Sequence, residues 1–235
     1  MLIYSYTSLN TATKMFAAHN LLSLAGLLLF NLLPLVASLD DQHTSKHNLQ
    51  KIQVTPKLSY QIKLHAFLLW ASVGFLMPIS VLIKRISNSD PSPTKLTIIF
   101  YTHAITQVCA VLLATAGGLI SIKYFDNSFS NHHQKIGLLF YAAILLQTML
   151  SIWRPQRGSK GRKIWFVFHW LVGIAALLVG VMNVFTGLEA YHERMLEDVR
   201  IWRVAFMVEL CLMLLVYLLQ EKWHYLTHQH KTEAC

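Results

Sequence analysis

The sequence predicts an all-α integral membrane protein, with five membrane-spanning helices following a secretory signal peptide. Three observations carry this. Of 235 residues, 54% are hydrophobic and only 13% charged, whereas soluble domains carry ~25% charged residues. Apolar runs near the ~20 residues that span a bilayer occur six times: Leu21–Ala37, Ile62–Ile83, Leu96–Ile122, Ile136–Trp153, Ile164–Leu188 and Trp202–Gln220. Such runs are helices rather than strands, because a lone strand leaves its backbone N–H and C=O groups unsatisfied in lipid.

The first run differs from the rest. It is short, follows Lys14 and His19, and ends in "LPLVASLDDQ". A basic start, a short apolar centre and small residues at the end are the marks of a signal peptide, with cleavage expected near Ser38 or Leu39. Met15 is an alternative start, and a retained signal anchor is the competing reading. With cleavage, the chain divides into a signal peptide (1–38), a short extracytoplasmic tail (39–60), a transmembrane domain (61–225) and a cytosolic C-terminal tail (226–235).

The five remaining runs then alternate in direction. The first ends in the cytosol at Lys84 and Arg85. The loop "RPQRGSKGRK", Arg154 to Lys163, also falls in the cytosol and holds five basic residues and no acid. The stretch "GLEAYHERMLEDVRIWR", from Gly187, is read as an outer loop of mixed charge. This agrees with the bias of Lys and Arg toward cytoplasmic loops, although Lys46, Lys51, Lys57 and Lys63 lie in or beside the outer tail. The net charge of +9 is therefore largely topology. No basic stripe interleaved with aromatics is present, so a nucleic-acid partner is not expected. The polar "SNSDPSPTK" is a turn-rich linker.

Cys109 and Cys211 fall inside apolar helices and Cys235 near the end, so no disulfide framework is expected. There is no C-x-x-C-H, no phosphate-binding glycine loop and no nucleophile elbow in a usable context. No internal repeat is found.

Four of the twelve histidines stand out. His65 is placed in the first turn of the first mature helix, at its outer end. His103 is about two turns into the second helix from the cytosolic end. His133 is placed just before the third helix, at the outer end. His169 lies a turn or two into "IWFVFHWLVGIAALLVGVMN" from the cytosolic end. Singly, each could hydrogen-bond a neighbouring helix or sit in the interface. Together they alternate outer, inner, outer, inner, which independent polar residues have no reason to do. Paired imidazoles on facing helices suit a metal. Zinc usually takes a third or fourth protein ligand, and His103 and His169 have no Cys, Asp or Glu companion at their depth. Haem iron needs only two axial histidines, because the porphyrin supplies four nitrogens. Small residues follow each inner histidine at helical spacing: Gly173, Ala176, Gly180, Asn183 and Gly187 after His169, and Ala110, Ala114 and Gly117 after His103. They leave room for a flat cofactor or let helices pack closely; both readings stay open. Outer and inner layers ~12–14 residues apart would differ by ~20 Å in height.

Five segments carry a resemblance: "HAFLLWASVGFLMPISVLIKR", "YTHAITQ", "NHHQKIGLLF", "RPQRGSKGRKIWFVFHWLVG" and "VGVMNVFTGLEAYH". Over about Leu58 to Tyr225 the chain resembles the cytochrome b561 family, most closely the plant branch often fused to an extracellular DOMON domain. The resemblance implies two b-type haems per chain and transmembrane electron transfer. It pairs His65 with His133 on the outer haem and His103 with His169 on the inner one. His133, not His132, stands four residues before Gly137 as the motif requires; His132 is then an outer, solvent-facing residue. Cytosolic ascorbate is the implied donor, in the manner of an ascorbate-dependent oxidoreductase or ferric reductase. The implied acceptor is monodehydroascorbate, a ferric chelate or a partner haem protein. The outer tail is too short for a β-sandwich of ~100 residues, so a separate redox partner or small molecule is expected to serve. A non-redox or degenerate protein that binds partners on the same scaffold is the alternative.

Ascorbate is an anion, and Lys84, Arg85, Arg154 and Arg157 line the expected cytosolic mouth, where they either attract it or serve topology alone. Gln107 and Asn183 are candidate hydrogen-bond donors around the ligand histidines. Glu209 either accepts from a ligand imidazole or pairs with another helix, and receives no role. Partners besides the bilayer and the donor include a homodimer. A secretory signal is compatible with the plasma membrane, the vacuole or another endomembrane, and "KTEAC" is not a retention signal.

Overall fold

Thr55 opens the first helix. Its side chain accepts from the Leu58 N–H at 3.3 Å, and Pro56 takes the first helical position, where its missing N–H costs nothing. The computed structural model describes residues 55–87, 92–129, 131–156 and 158–233. The signal peptide, most of the expected outer tail, Arg157 and Cys235 lie outside these. The helices are α1 (Pro56–Ile86), α2 (Pro93–Tyr124), α3 (His132–Ile152), α4 (Gly161–Met195) and α5 (Arg200–Glu233). All five contain a stretch long and apolar enough to cross a membrane, and among the described residues there is no strand.

Helix starts differ from the expectation in ways the caps explain. The cap at Thr55 makes Pro56–Tyr60 helical, so His65 is in the third turn of α1, not the first. Asn131 caps α3 by accepting from the Gln134 N–H at 2.8 Å, which places His133 inside the first turn rather than before it. The stretch from Gly187 is not a loop. α4 runs on to Met195, because "LEAYHERM" is rich in strong helix formers. It stops at Leu196, whose left-handed φ of 56° lets its N–H reach the His192 carbonyl at 2.8 Å. Only residues 196–199 join α4 to α5, and α5 continues through the expected tail to Glu233.

α1 packs on α2 and α3 on α4. The core between them is Val73 and Met77 of α1, Ala110 and Ala114 of α2, Phe140 and Ile144 of α3, and Ala176 of α4. Small residues let the backbones approach. A methyl carbon on Gly180 would lie 2.7 Å from Val73 and 2.9 Å from Phe140. Midway along the bundle, then, the small-residue stripe is close helix packing. α5 lies outside this core. Its Phe206 meets Phe185 at a ring-centre distance of 5.2 Å, and its Glu209 accepts from the Trp70 indole N–H at 2.8 Å. Glu209 therefore pairs with another helix. Large apolar side chains such as Leu112, Ile122, Phe168 and Leu171 are exposed, as suits a bundle solvated by hydrocarbon.

α1 contains one wide turn, Trp70–Leu76, closed by Met77 N–H bonding Ser72 O in i→i−5 fashion. Its consequence is rotational. Ser72 and Ser80 are eight residues apart, which on a straight α-helix leaves them ~80° out of phase. The wide turn takes up that offset. Both hydroxyls face α2, Ser72 donating to the Ala110 carbonyl at 2.7 Å and Ser80 to the His103 carbonyl at 3.1 Å.

Candidate functional site

The bundle has two polar ends. One, the Thr55 end, joins α1 to the α4–α5 turn through Lys63 and Glu197, 3.9 Å apart. At the other, the Ser87 end, Arg85 pairs with Glu221 and Gln220 donates to the Leu82 carbonyl at 3.4 Å.

His65 and His133 meet near the Thr55 end. Their ring centres are 6.1 Å apart and the planes nearly perpendicular at 88°. His65 Nδ1 is 2.8 Å from the Gly117 carbonyl, and His133 Nδ1 is 3.1 Å from the Asn183 carbonyl. A carbonyl only accepts, so Nδ1 carries the proton in both rings, and each neutral imidazole keeps its lone pair on Nε2. Glycine makes room beside one of them: a methyl carbon on Gly187 would stand 2.9 Å from the His133 ring. His132 is exposed and His133 half-buried.

Toward the Ser87 end, His103 Nδ1 lies 3.0 Å from the Ser80 carbonyl and 2.8 Å from the Ser80 hydroxyl. His169, on α4, lies toward the same end. Its ring stacks on Trp165 at 5.1 Å between centres and 15° between planes. Trp165 is itself held by donating to the Leu150 carbonyl at 2.7 Å. The amide that reaches His169 is Gln147, not Gln107: Gln147 Nε2 donates to the His169 carbonyl at 2.9 Å and lies 3.4 Å from His169 Nε2.

These contacts obey a rule that sequence reading missed. His103 and Gly117 are fourteen residues apart on α2, as are His133 and Gln147 on α3 and His169 and Asn183 on α4. His65 and Ser80 are fifteen apart on α1, across the wide turn that absorbs one extra residue. Each helix thus carries a histidine at one level and, ~21 Å away along its axis, the group that contacts a histidine at the other level. α1 and α2 exchange such contacts with each other, as do α3 and α4. The signal in the sequence was a spacing of four helical turns, invisible to a search for similar residues.

Of the basic residues expected at the cytosolic mouth, Lys84 donates to the Ser87 hydroxyl at 3.2 Å. The Arg85 guanidinium lies 3.5 Å over the Tyr217 ring, besides meeting Glu221. Arg154 lies over Phe100 at 4.4 Å and Trp165 at 5.8 Å, and Arg162, absent from the expected set, also approaches Trp165 at 5.8 Å.

His65 and His133 fit a bis-histidine iron group on geometry. Two metal–imidazole bonds of ~2 Å, with the distance from nitrogen to ring centre on either side, come to about 6 Å, which matches the His65–His133 separation. Among the described residues no three His, Cys, Asp or Glu side chains gather.

Residues 64–193 match the family model of eukaryotic cytochrome b561. The chain is 38% identical over 211 residues to a cytochrome b561 domain-containing protein of Arabidopsis thaliana, covering 86% of this chain and 82% of that one. A cytochrome b561 and DOMON domain-containing protein of the same plant is 35% identical over 127 residues, 52% of this chain and 30% of that one. A second such DOMON protein is 26% identical over 180 residues, covering 73% and 42%. No solved structure matches the chain. The protein thus belongs to the eukaryotic cytochrome b561 family, as an integral multi-pass membrane protein, and that membership implies b-type haem binding and transmembrane electron transfer.

Proposed function

We propose that this chain binds two b-type haems and passes electrons from cytosolic ascorbate to an acceptor on the far side of a secretory-pathway membrane. His65 and His133 hold one haem near the Thr55 end, the extracytoplasmic one. His103 and His169 hold the other near the Ser87 end, which faces the cytosol. The observation that carries this reading is the 6.1 Å approach of His65 and His133 with both Nδ1 atoms engaged by backbone carbonyls.

When bound, haem supplies reversible one-electron chemistry. The chain's own residues do the rest. Carbonyls of Gly117, Ser80 and Asn183 fix the tautomer and the angle of three imidazoles and raise their basicity. The two levels, ~21 Å apart along each helix, set the span an electron crosses, and the apolar core between them excludes water. Lys84 and Arg154 add positive charge at the cytosolic mouth, which draws an anionic donor; Arg85 meets Glu221 and Tyr217. The donor gives up one electron and one proton. The acceptor is monodehydroascorbate, a ferric chelate or a separate haem protein.

Vesicles holding the reconstituted protein and a trapped ferric chelate test the proposal. External ascorbate should reduce the chelate, and His103→Ala should abolish the reduction. Equal rates in protein-free vesicles would overturn it.

A further inference from the structure

Three of the four histidines have a backbone carbonyl at Nδ1. The fourth does not. His169 Nδ1 is buried without a hydrogen-bond partner, and so is Gln147 Oε1 on the side chain beside it. The two orphans are complementary. Once a metal takes Nε2 of a neutral imidazole, Nδ1 must carry the proton and donate; an amide oxygen accepts. In this structure the Gln147 amide nitrogen lies 3.4 Å from His169 Nε2, so a half-turn of the imidazole about its Cβ–Cγ bond both withdraws Nε2 from the amide and brings Nδ1 toward it, and the two unpaired buried atoms favour that turn.

Position points the same way. Gln147 stands fourteen residues from His133, as Gly117 does from His103 and Asn183 from His169. It occupies on α3 the place from which the other helices send an acceptor to the opposite level. It is also held there. It donates to the His169 carbonyl, and a methyl carbon on Gly173 would come within 2.9 Å of its amide nitrogen. Gly173 is small to accommodate Gln147.

The geometry points to Gln147 as a positioning residue for His169, its Oε1 accepting the Nδ1 proton of that imidazole when Nε2 is engaged by iron. This rests on the two-haem reading above. Three of the four imidazoles take this bond from backbone, which substitution cannot delete. At His169 it comes from a side chain, so one haem can be tuned alone. A hydrogen bond at Nδ1 makes the imidazole a stronger donor and favours ferric iron; removing it should raise the reduction potential of that haem.

Potentiometric titration of the haem-loaded full chain in detergent, following the two α-bands separately, reads this out. Gln147→Leu should move the midpoint of the haem that His169→Ala deletes upward, and leave the other unchanged. Gln147→Glu, a stronger acceptor, should move the same midpoint downward, which a merely structural role would not do. Parental midpoints in both variants, or a shift confined to the haem that His65→Ala deletes, would overturn the assignment. Parental protein without two haems would overturn the underlying reading instead.

Discussion

The ring of His133 is seated against Gly187 of the neighbouring helix, with its Cε1 only 2.9 Å from where a side-chain carbon on that glycine would begin. The same edge of the imidazole is fixed through Nδ1 by the Asn183 carbonyl, so the ring cannot yield without losing that bond. Gly187→Val should therefore displace His133 and remove about one haem of two from the purified protein, leaving the other component of the spectrum intact. Gly118→Ala is the control. A methyl group there meets nothing within 4 Å, and helix propensity gains up to ~1 kcal/mol, so both haems should remain.

Trp70 and Glu209 provide a second test. The indole N–H donates to this carboxylate, across the seam between α1 and the outlying α5. Trp70→Phe keeps the ring and removes the donor. Hydrogen bonds between membrane helices average ~0.6 kcal/mol, and a carboxylate left unpaired against hydrocarbon adds to that. The expected loss is about 1 kcal/mol, read as a lower midpoint in denaturant-induced unfolding in detergent. Glu209→Leu added to Trp70→Phe should recover most of it. An additive loss in the double variant would show that the bond carries no coupling.

Arg154 and Arg85 should separate in kinetics. Arg154 lies beside Trp165, which stacks on His169. Arg154→Gln should raise the apparent KM for ascorbate by roughly two- to five-fold, the scale of an exposed ion pair of ~0.5–1 kcal/mol. The difference should shrink at high salt. Arg85, tied to Glu221 and Tyr217, should show its loss in stability, with KM unchanged. Stopped-flow reduction over a range of ascorbate concentrations distinguishes the two.

The five spans were legible because long apolar runs are a strong, local signal, and the four histidines drew notice because ionisable rings are costly in hydrocarbon. The reach of α4 to Met195 was not, because a charged stretch with good helix formers reads as a loop once hydropathy alone sets the boundary. The wide turn in α1 left no mark that periodicity detects; it is visible only in the shared direction of Ser72 and Ser80. Gln147 went unnoticed because a lone amide in an apolar helix has no partner in sequence. Its partner, His169, is twenty-two residues on, and Gln107, closer to a histidine in the chain, drew the inference instead. Glu209 could not be assigned from α5 alone, since what it meets depends on which helix α5 rests against.

The most direct test is to count haem per chain in the parent and in the four alanine variants at His65, His103, His133 and His169. The account predicts two haems in the parent and about one in every variant. His65→Ala and His133→Ala should lose the same spectral component, and His103→Ala and His169→Ala the other. A folded parent that binds fewer than two haems, or variants whose losses pair in any other way, would contradict it.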